Sequence, residues 1–387
     1  MILKEIERRE VKGERIIKIA SSFKYIETGT PVHSILGEMK EPYQNAIAVT
    51  DENLAVKGII IPQELVEMLG KPFGRDLLHR SKAEDIMRKP VMFKYDEYIL
   101  EIQESIRGDL EKEAASHYIL IDDESLFCGH FSAQDMLLHA MNDQQRELKV
   151  AMTIQGRLVH PYFAVRSDRL SITCSSVMAQ GVGGDYYYVK EYAKGKWFFC
   201  LCDISGKGIS AAIITAVLSG FMYNADFSGP LEDMVSRLNR IILDTFQLEK
   251  YLTGFFALFS EKTGMLEYCD MGHSFFYVVE GESVQQISDE ADNSPVGLIA
   301  EPVLVTRTLR IASDTVLLLL SDGLIEQENR NKELYPVDEM GKCIGRAIRG
   351  EEDLIRAKVR ILESFFSFKK DTPQHDDISL LLFHFHD

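Results

Sequence analysis

The chain has 387 residues, room for two or three domains at about 150 residues each, and carries 60 acidic against 43 basic side chains, a net charge of −17. Hydrophobic residues make up 45% and charged residues 27%, the balance of a globular protein able to bury a core. So acidic a chain lacks the basic surface that phosphate-rich partners need, which argues against nucleic-acid and anionic-membrane binding. No apolar run approaches the roughly 18 residues of a membrane helix. The start, Met1-Ile-Leu-Lys-Glu-Ile-Glu-Arg-Arg-Glu10, is too charged for a secretory signal. Cys128, Cys174, Cys200, Cys202, Cys269 and Cys343 are scattered without a CxxC pair. Reduced core thiols in a cytoplasmic protein are therefore expected.

From about residue 20 to 142 the chain reads as two similar halves. Ala46-Ile-Ala-Val-Thr-Asp-Glu-Asn and Val56-Lys-Gly-Ile-Ile-Ile-Pro-Gln-Glu-Leu-Val match, 71 residues later, His117-Tyr-Ile-Leu-Ile-Asp-Asp-Glu-Ser and Phe127-Cys-Gly-His-Phe-Ser-Ala-Gln-Asp-Met-Leu-Leu. In each, an apolar strand ends in an acidic turn, a second strand follows through a Gly, and a helix begins. One offset of this length is a duplication, not a solenoid, which needs three or more shorter repeats. Between the halves, Ala83-Glu-Asp-Ile-Met-Arg-Lys-Pro-Val predicts a short helix before Pro90 and then a strand. From Ala133 to Val159 the sequence is helical, with no Pro and only Gly156 as a late breaker. Leu137, Met141, Leu148, Ala151 and Gln155 recur at steps near 3.5 residues, broken by Gln144. That stripe fits either a short two-stranded coiled coil or one amphipathic helix packed on its own domain.

Beyond Pro161 strands are predicted at Leu170–Val177 and Trp197–Ile204, then a buried helix at Ile209–Ala225 and an amphipathic one at Leu231–Phe246. Leu252–Ser260, Met265–Asp270 and Phe275–Gly281 read as a meander of hairpins. Thr315–Ser321 reads as a buried strand, and helices at about 336–348 and 351–368 precede a last strand, Ile378–Phe385. Hairpins with paired helices predict an α+β layered sandwich, not βαβ alternation.

Four acidic sites lie where an apolar strand meets a turn: Gly183-Gly184-Asp185, Asp203-Ile-Ser-Gly-Lys-Gly208, Ser321-Asp322-Gly323 and His375-Asp376-Asp377. In a compact sheet their tips would converge. Clustered Asp without His or Cys suits hard, oxygen-seeking cations, Mg²⁺ or Mn²⁺. Without a cation such carboxylates would repel one another. Two ions about 4 Å apart can share and acidify a water that attacks phosphorus in line. Singly, each Asp is as well read as a turn residue.

Taken together and in order, these segments resemble the catalytic domain of the metal-dependent (type-2C, PPM) serine/threonine protein phosphatases, in their bacterial SpoIIE-like branch. The resemblance covers roughly 161–387 and a lead-in helix at Glu147–Gln155. It also rests on Met271-Gly-His273, Pro295-Val-Gly-Leu298, Leu320-Ser-Asp-Gly-Leu-Ile-Glu326 and Asp376-Asp-Ile-Ser-Leu-Leu-Leu382. It implies an α/β/β/α sandwich of two antiparallel sheets flanked by helix pairs. It also implies that Asp185 and Asp203 flank the bridging water, that the Ile204 carbonyl completes one Mn²⁺ or Mg²⁺ site, and that Asp322 and Asp376 hold the other ion with Asp203. Asp377 is then either a ligand or a helper, His273 either a general acid or a structural residue, and Lys207 either a phosphate contact or a solvated lysine. Three departures stand out: Tyr188 replaces an Asp that would support the loop, Ser321 replaces Thr, and Met271 replaces a small residue.

The duplicated half resembles a pair of CBS domains, modules that sense adenosine nucleotides through a Thr-x-x-Asp step. Ser132-Ala-Gln-Asp135 is a near match, whereas Ile61-Pro-Gln-Glu64 has lost the hydroxyl. One nucleotide site at Ser132 and Asp135, or a purely structural dimerisation module, follows. The expected organisation is a CBS-like sensory module at 1–133, a linker helix at 134–160 and a phosphatase domain at 161–387, joined as a homodimer through module and helix. The resemblance implies a phosphorylated protein substrate, a STAS-domain anti-sigma-factor antagonist in partner-switching signalling. The alternatives are a catalytically silent binding module of the same fold and a nucleotide-sensing scaffold.

Overall fold

The computed structural model describes residues 2–38, 46–111, 116–179, 181–287 and 293–386. They form two compact units that part between Arg146 and Glu147. No helix among the described residues is long and apolar enough to cross a membrane.

In the first unit, β1 (Lys4–Glu5), β2 (Lys24–Glu27), β3 (Ile47–Thr50) and β4 (Val56–Ile60) make one sheet, with α1 (Val32–Glu38) between β2 and β3. Helices α2 (Pro62–Gly70), α3 (Gly74–Arg80) and α4 (Ala83–Ile86) follow. The second sheet holds β5 (Val91–Lys94), β6 (His117–Ile121) and β7 (Phe127–Ser132), with α5 (Ile99–Glu111) after β5 and α6 (Ala133–Leu158) after β7. Each half is thus a parallel pair, β2–β3 or β5–β6, followed by an antiparallel one, β3–β4 or β6–β7. The strand expected after Pro90 is β5, whereas its counterpart β2 and the helices that follow the two parallel strands carry little alternation and were not read from the sequence. The halves meet through Ala46, Ala48, Ile59, Ile119 and Phe127, and through an antiparallel bridge from Ala55 to Leu126.

The second unit is a four-layer α/β/β/α sandwich. Its strands are β8 (Tyr162–Arg166), β9 (Leu170–Val177), β10 (Asp185–Ala193) and β11 (Lys196–Ile204), before helices α7 (Ile209–Asn224) and α8 (Leu231–Phe246). Then come β12 (Leu252–Ser260), β13 (Met265–Met271), β14 (Phe276–Glu280), β15 (Ser283–Gln286), β16 (Arg307–Arg310) and β17 (Thr315–Leu320). The short α9 (Asp322–Ile325), α10 (Val337–Ile348), α11 (Leu354–Lys369) and β18 (Ile378–Phe385) complete it. One antiparallel sheet runs β10-β11-β12-β13-β16 and the other β15-β14-β17-β18-β9-β8.

Strand β18 shows why the layers stack. Its period of two sends Leu381, Phe383 and Phe385 into the core between the sheets, and Ile378, Leu380 and Leu382 against α10 and α11. Across the sheets Phe199 stacks on Phe383 at 4.0 Å and Phe259 meets Phe385 edge-on at 4.5 Å. Each fully buried ring of this kind contributes roughly 1.5–3 kcal/mol. Helix α7 corrects an expectation. It is not buried all round: Ala211, Ile214, Leu218 and Met222 face the core, but Ile209, Ile213 and Tyr223 are exposed.

Candidate active site

The four acidic turns come together at one end of the sandwich. The register of β10 and β11 pairs Asp185 directly with Asp203, so two carboxylates stand side by side at the strand tips. Asp322 opens α9 straight after β17, and Asp376 and Asp377 precede β18, the neighbour of β17. Loops on one edge of two facing sheets thus supply every acidic group that the sequence singled out.

Electrostatics records the crowding. Burial, then the nearby carboxylates of Asp322, Asp376 and Asp377, push Asp203 up to about 7. Burial and Asp376 push Asp322 up to about 6. Asp185 is held well above the carboxylate range by complete burial and by Asp203. One of its oxygens, Oδ2, is buried with no hydrogen-bond partner. An unpartnered buried carboxylate oxygen is costly, and three carboxylates forced toward protonation mark a place that wants positive charge.

The residues present fit a hard divalent cation. A Cβ added at Gly184 would stand 2.8 Å from the Ile204 carbonyl, 3.3 Å from Asp203 Oδ1 and 3.4 Å from the Gly206 carbonyl, so this glycine opens a nook walled by oxygens. Among the described residues, no three carboxylate, imidazole or thiolate groups gather closely enough to hold a metal by themselves. A cation there would draw on backbone carbonyls and water as well, as Mg²⁺ does.

Asp377 is tied to backbone amides. Its buried carboxylate accepts hydrogen bonds from the amides of Ala179 at 2.7 Å and Gly184 at 2.5 Å. It thereby pins the loop that carries Asp185. A Cβ at Gly183 would collide with that carboxylate, which is why this position is Gly. Ser321, the Thr replacement, is buried and ties β17 to β18: its hydroxyl accepts from the Ser379 amide at 2.8 Å and donates to the Asp377 carbonyl at 3.1 Å. Tyr188 does not support the loop; it packs on the rings of Phe198 and Phe227. Met271 fills the core beside Cys269, with its sulfur 3.6 Å away.

Lys207 reaches across the mouth, donating to the His375 carbonyl at 2.6 Å and pairing with Asp376 at 3.1 Å. His273 lies beyond the end of β13, after Gly272. Its ring is buried, and burial pushes its pKa down to about 4. Its amide donates to Asp270 at 2.8 Å and its ring meets Phe275 edge-on, the contacts of a residue that shapes a turn.

Sequence reading passed over the role of Gln155. Placed in an apolar stripe, it is instead a buried clamp near the end of α6. Its Nε2 donates to the Gly183 carbonyl at 2.7 Å and to Thr215 Oγ1 at 3.1 Å, and its Oε1 accepts from the Gly183 amide at 3.0 Å. A lone amide at a core position of a helix was the signal. Of the rest of that stripe, Leu137 and Met141 are exposed, while Leu148 and Ala151 are half-buried.

In the first unit, Ser132 and Asp135 form a capping box. The Asp135 carboxylate accepts from the Ser132 amide and hydroxyl, both at 2.7 Å, while the Ser132 hydroxyl accepts from the Asp135 amide at 3.1 Å. Ser21 also donates to Asp135, at 2.7 Å.

Comparison with known proteins follows this geometry. The profile of the family Stage II sporulation protein E (SpoIIE) matches residues 193–386, half of the chain. The chain belongs to the SpoIIE family. Asp203, Lys207, His273, Asp322, Asp376 and Asp377 lie inside that match; Asp185 and Gln155 lie upstream of it. Two curated relatives come from Bacillus subtilis (strain 168). Phosphoserine phosphatase RsbU is 23% identical over 240 residues, 61% of this SpoIIE-family chain and 69% of RsbU. Phosphoserine phosphatase RsbP is 24% identical over 189 residues, 47% of this chain and 46% of RsbP. Among solved structures, the SiaA-PP2C domain of Pseudomonas aeruginosa covers 64% of this chain and 98% of its own length, with a TM-score of 0.51 and 17% identity. That likeness shows a shared PP2C-type fold.

Proposed function

We propose that this chain is a divalent-cation-dependent protein phosphatase that removes phosphate from serine or threonine. One observation carries the reading: Asp185, Asp203, Asp322 and Asp376 gather at one end of the sandwich, near enough to push up the Asp203 pKa, with an Asp185 oxygen buried and unpartnered and an oxygen-walled nook beside Asp203. Two relatives named phosphoserine phosphatases support it. Asp185, Asp203 and the Ile204 carbonyl would hold one cation, and Asp203, Asp322 and Asp376 a second. Mn²⁺ or Mg²⁺ bound there supplies a water acidified to hydroxide and positive charge for the phosphoryl oxygens. The chain's own part is placement. Asp377 and Gln155 fix the Gly183–Asp185 backbone, and Lys207 offers a cation at the mouth where a substrate phosphate enters.

The substrate we propose is a phosphorylated STAS-domain anti-sigma-factor antagonist in a partner-switching circuit. The duplicated first unit, which we read as a CBS-like pair, acts as the sensor; residues 1–133, 134–160 and 161–387 are sensor, transmission helix and catalytic domain. Exposed Leu137 and Met141 on α6 suit a homodimer contact. Because α6 ends in the Gln155 clamp on Gly183 and Thr215, a shift of that helix would move the Asp185 loop and α7 together.

Hydrolysis of p-nitrophenyl phosphate with and without Mn²⁺ tests the chemistry. Turnover that requires Mn²⁺ and is abolished by Asp322→Asn supports it; a rate indifferent to that change refutes the site. Removal of residues 1–130 with no change in turnover or metal dependence would refute the sensory role.

A further inference from the structure

A second cavity lies far from the carboxylates. Asp377 and His384 stand seven residues apart along β18, about 23 Å at the rise of a strand. At that far end the outer face of the six-stranded sheet is roofed by the connection from α10 to α11, leaving a cavity of about 740 Å³. The register fixes its floor: Arg166, Ser171 and His384 are cross-strand partners in one row, and Ala164 and Thr173 in the next. Ala347, Ile348, Leu354 and Ile355 provide apolar walls, and Glu352 reaches in from the roof.

Three buried polar atoms in this lining have no hydrogen-bond partner: Thr173 Oγ1, His384 Nε2 and Glu352 Oε1. They come from three separate elements, and the Glu352 side chain is only 6% exposed. Its other oxygen is already taken by Arg360 at 2.8 Å. Arg166 lines the cavity, and among the described residues its side chain makes no ion pair or hydrogen bond. Buried polar atoms are nearly always satisfied, and three orphans around one space of ligand size ask for a common occupant. Glu352 Oε1 is an acceptor and needs a donor; Arg166 is a cation and matches an anion; the walls match an apolar or aromatic body.

We propose that this cavity binds a small amphipathic metabolite with an amino group for Glu352 and a carboxylate or phosphate for Arg166. Apolar α-amino acids and nucleoside monophosphates both carry that chemistry. The site is independent of phosphatase activity, so it stands or falls separately from the reading above.

Calorimetric titration of the full chain tests it with two arms, L-phenylalanine with L-leucine, and AMP with GMP. Binding in one arm identifies the source. Arg166→Gln alters an exposed side chain and should weaken binding at least about tenfold, the equivalent of roughly 1.4 kcal/mol. Thr173→Val keeps shape while removing an unpaired hydroxyl, so it should weaken binding and raise the melting temperature of the ligand-free chain. No heat in either arm at millimolar ligand overturns the proposal. So does binding that both variants retain, which would place the ligand elsewhere.

Discussion

Aspartates end strands in both units, yet their surroundings treat them in opposite ways. Asp51 and Asp122 occupy equivalent turns of the duplicated unit. Asp51 pairs with Lys57 at 2.9 Å and accepts from the amides of Asn53 and Ala55, each at 3.0 Å. Asp122 accepts from the amides of Leu126 and Glu124 and from Arg9. The Lys57 ammonium pulls Asp51 below the carboxylate range; Asp122 is lowered too, its amides and Arg9 outweighing desolvation. In the sandwich, Asp203 and Asp322 are pushed up instead, and Asp185 is left with an oxygen unpaired. A satisfied carboxylate builds a turn; a frustrated one waits for a cation.

The most severe test of this contrast is substitution at the two kinds of turn. Asp203→Asn should cut Mn²⁺-dependent turnover by roughly a thousandfold, the scale of removing a preorganised electrostatic group. Asp51→Asn and Asp122→Asn should leave turnover within about twofold, since exposed pairs contribute little. Comparable losses in both units would erase the distinction. Gln155→Leu should cost about 10- to 100-fold in activity and raise the Mn²⁺ concentration needed, as loss of a supporting partner does. An unchanged metal requirement would make the clamp only a packing contact.

The pH dependence has a definite sign. Asp203 and Asp322 titrate at about 7 and about 6 when folded, against 3.8 for the unreacted group. The metal-free folded chain therefore holds protons that the unfolded chain has released, and their contribution to stability declines as pH rises from about 4 to about 7. Cations compete with those protons. The rise in melting temperature on adding Mn²⁺ should accordingly be greater near pH 8 than near pH 5, and the reverse order would contradict the shifts. The smallest effect belongs to Ser132→Ala, which removes a helix cap: about 1 kcal/mol of stability in the first unit, read by denaturant unfolding, with turnover untouched.

Much of the catalytic half was legible in the sequence because long apolar strands end in Gly-Asp turns. Leu170–Val177, Leu252–Ser260 and Ile378–Phe385 were placed from alternation and Gly signals alone. Strands β8, β10, β15 and β16 were not: all four lie at sheet edges, and β8, β15 and β16 are also short and half-exposed, with no apolar face to betray them. The carboxylates were readable as a set. What Asp377 holds was not: Asp376 and Asp377 are adjacent and alike, and the amides of Ala179 and Gly184 that Asp377 accepts from lie some two hundred residues upstream. Gln155 was hidden for the same reason, since its partners Gly183 and Thr215 are distant in the chain.

The hold of Asp377 on those upstream amides has a consequence for biosynthesis. A ribosome will have finished β10, β11 and most of the sandwich long before it reaches codon 377, and until then the Gly183–Asp185 segment has only the Gln155 half of its support, with the Gly184 amide still untied. Nascent or prematurely terminated chains would thus be inert toward phosphoproteins, and competence would arrive in a single late step.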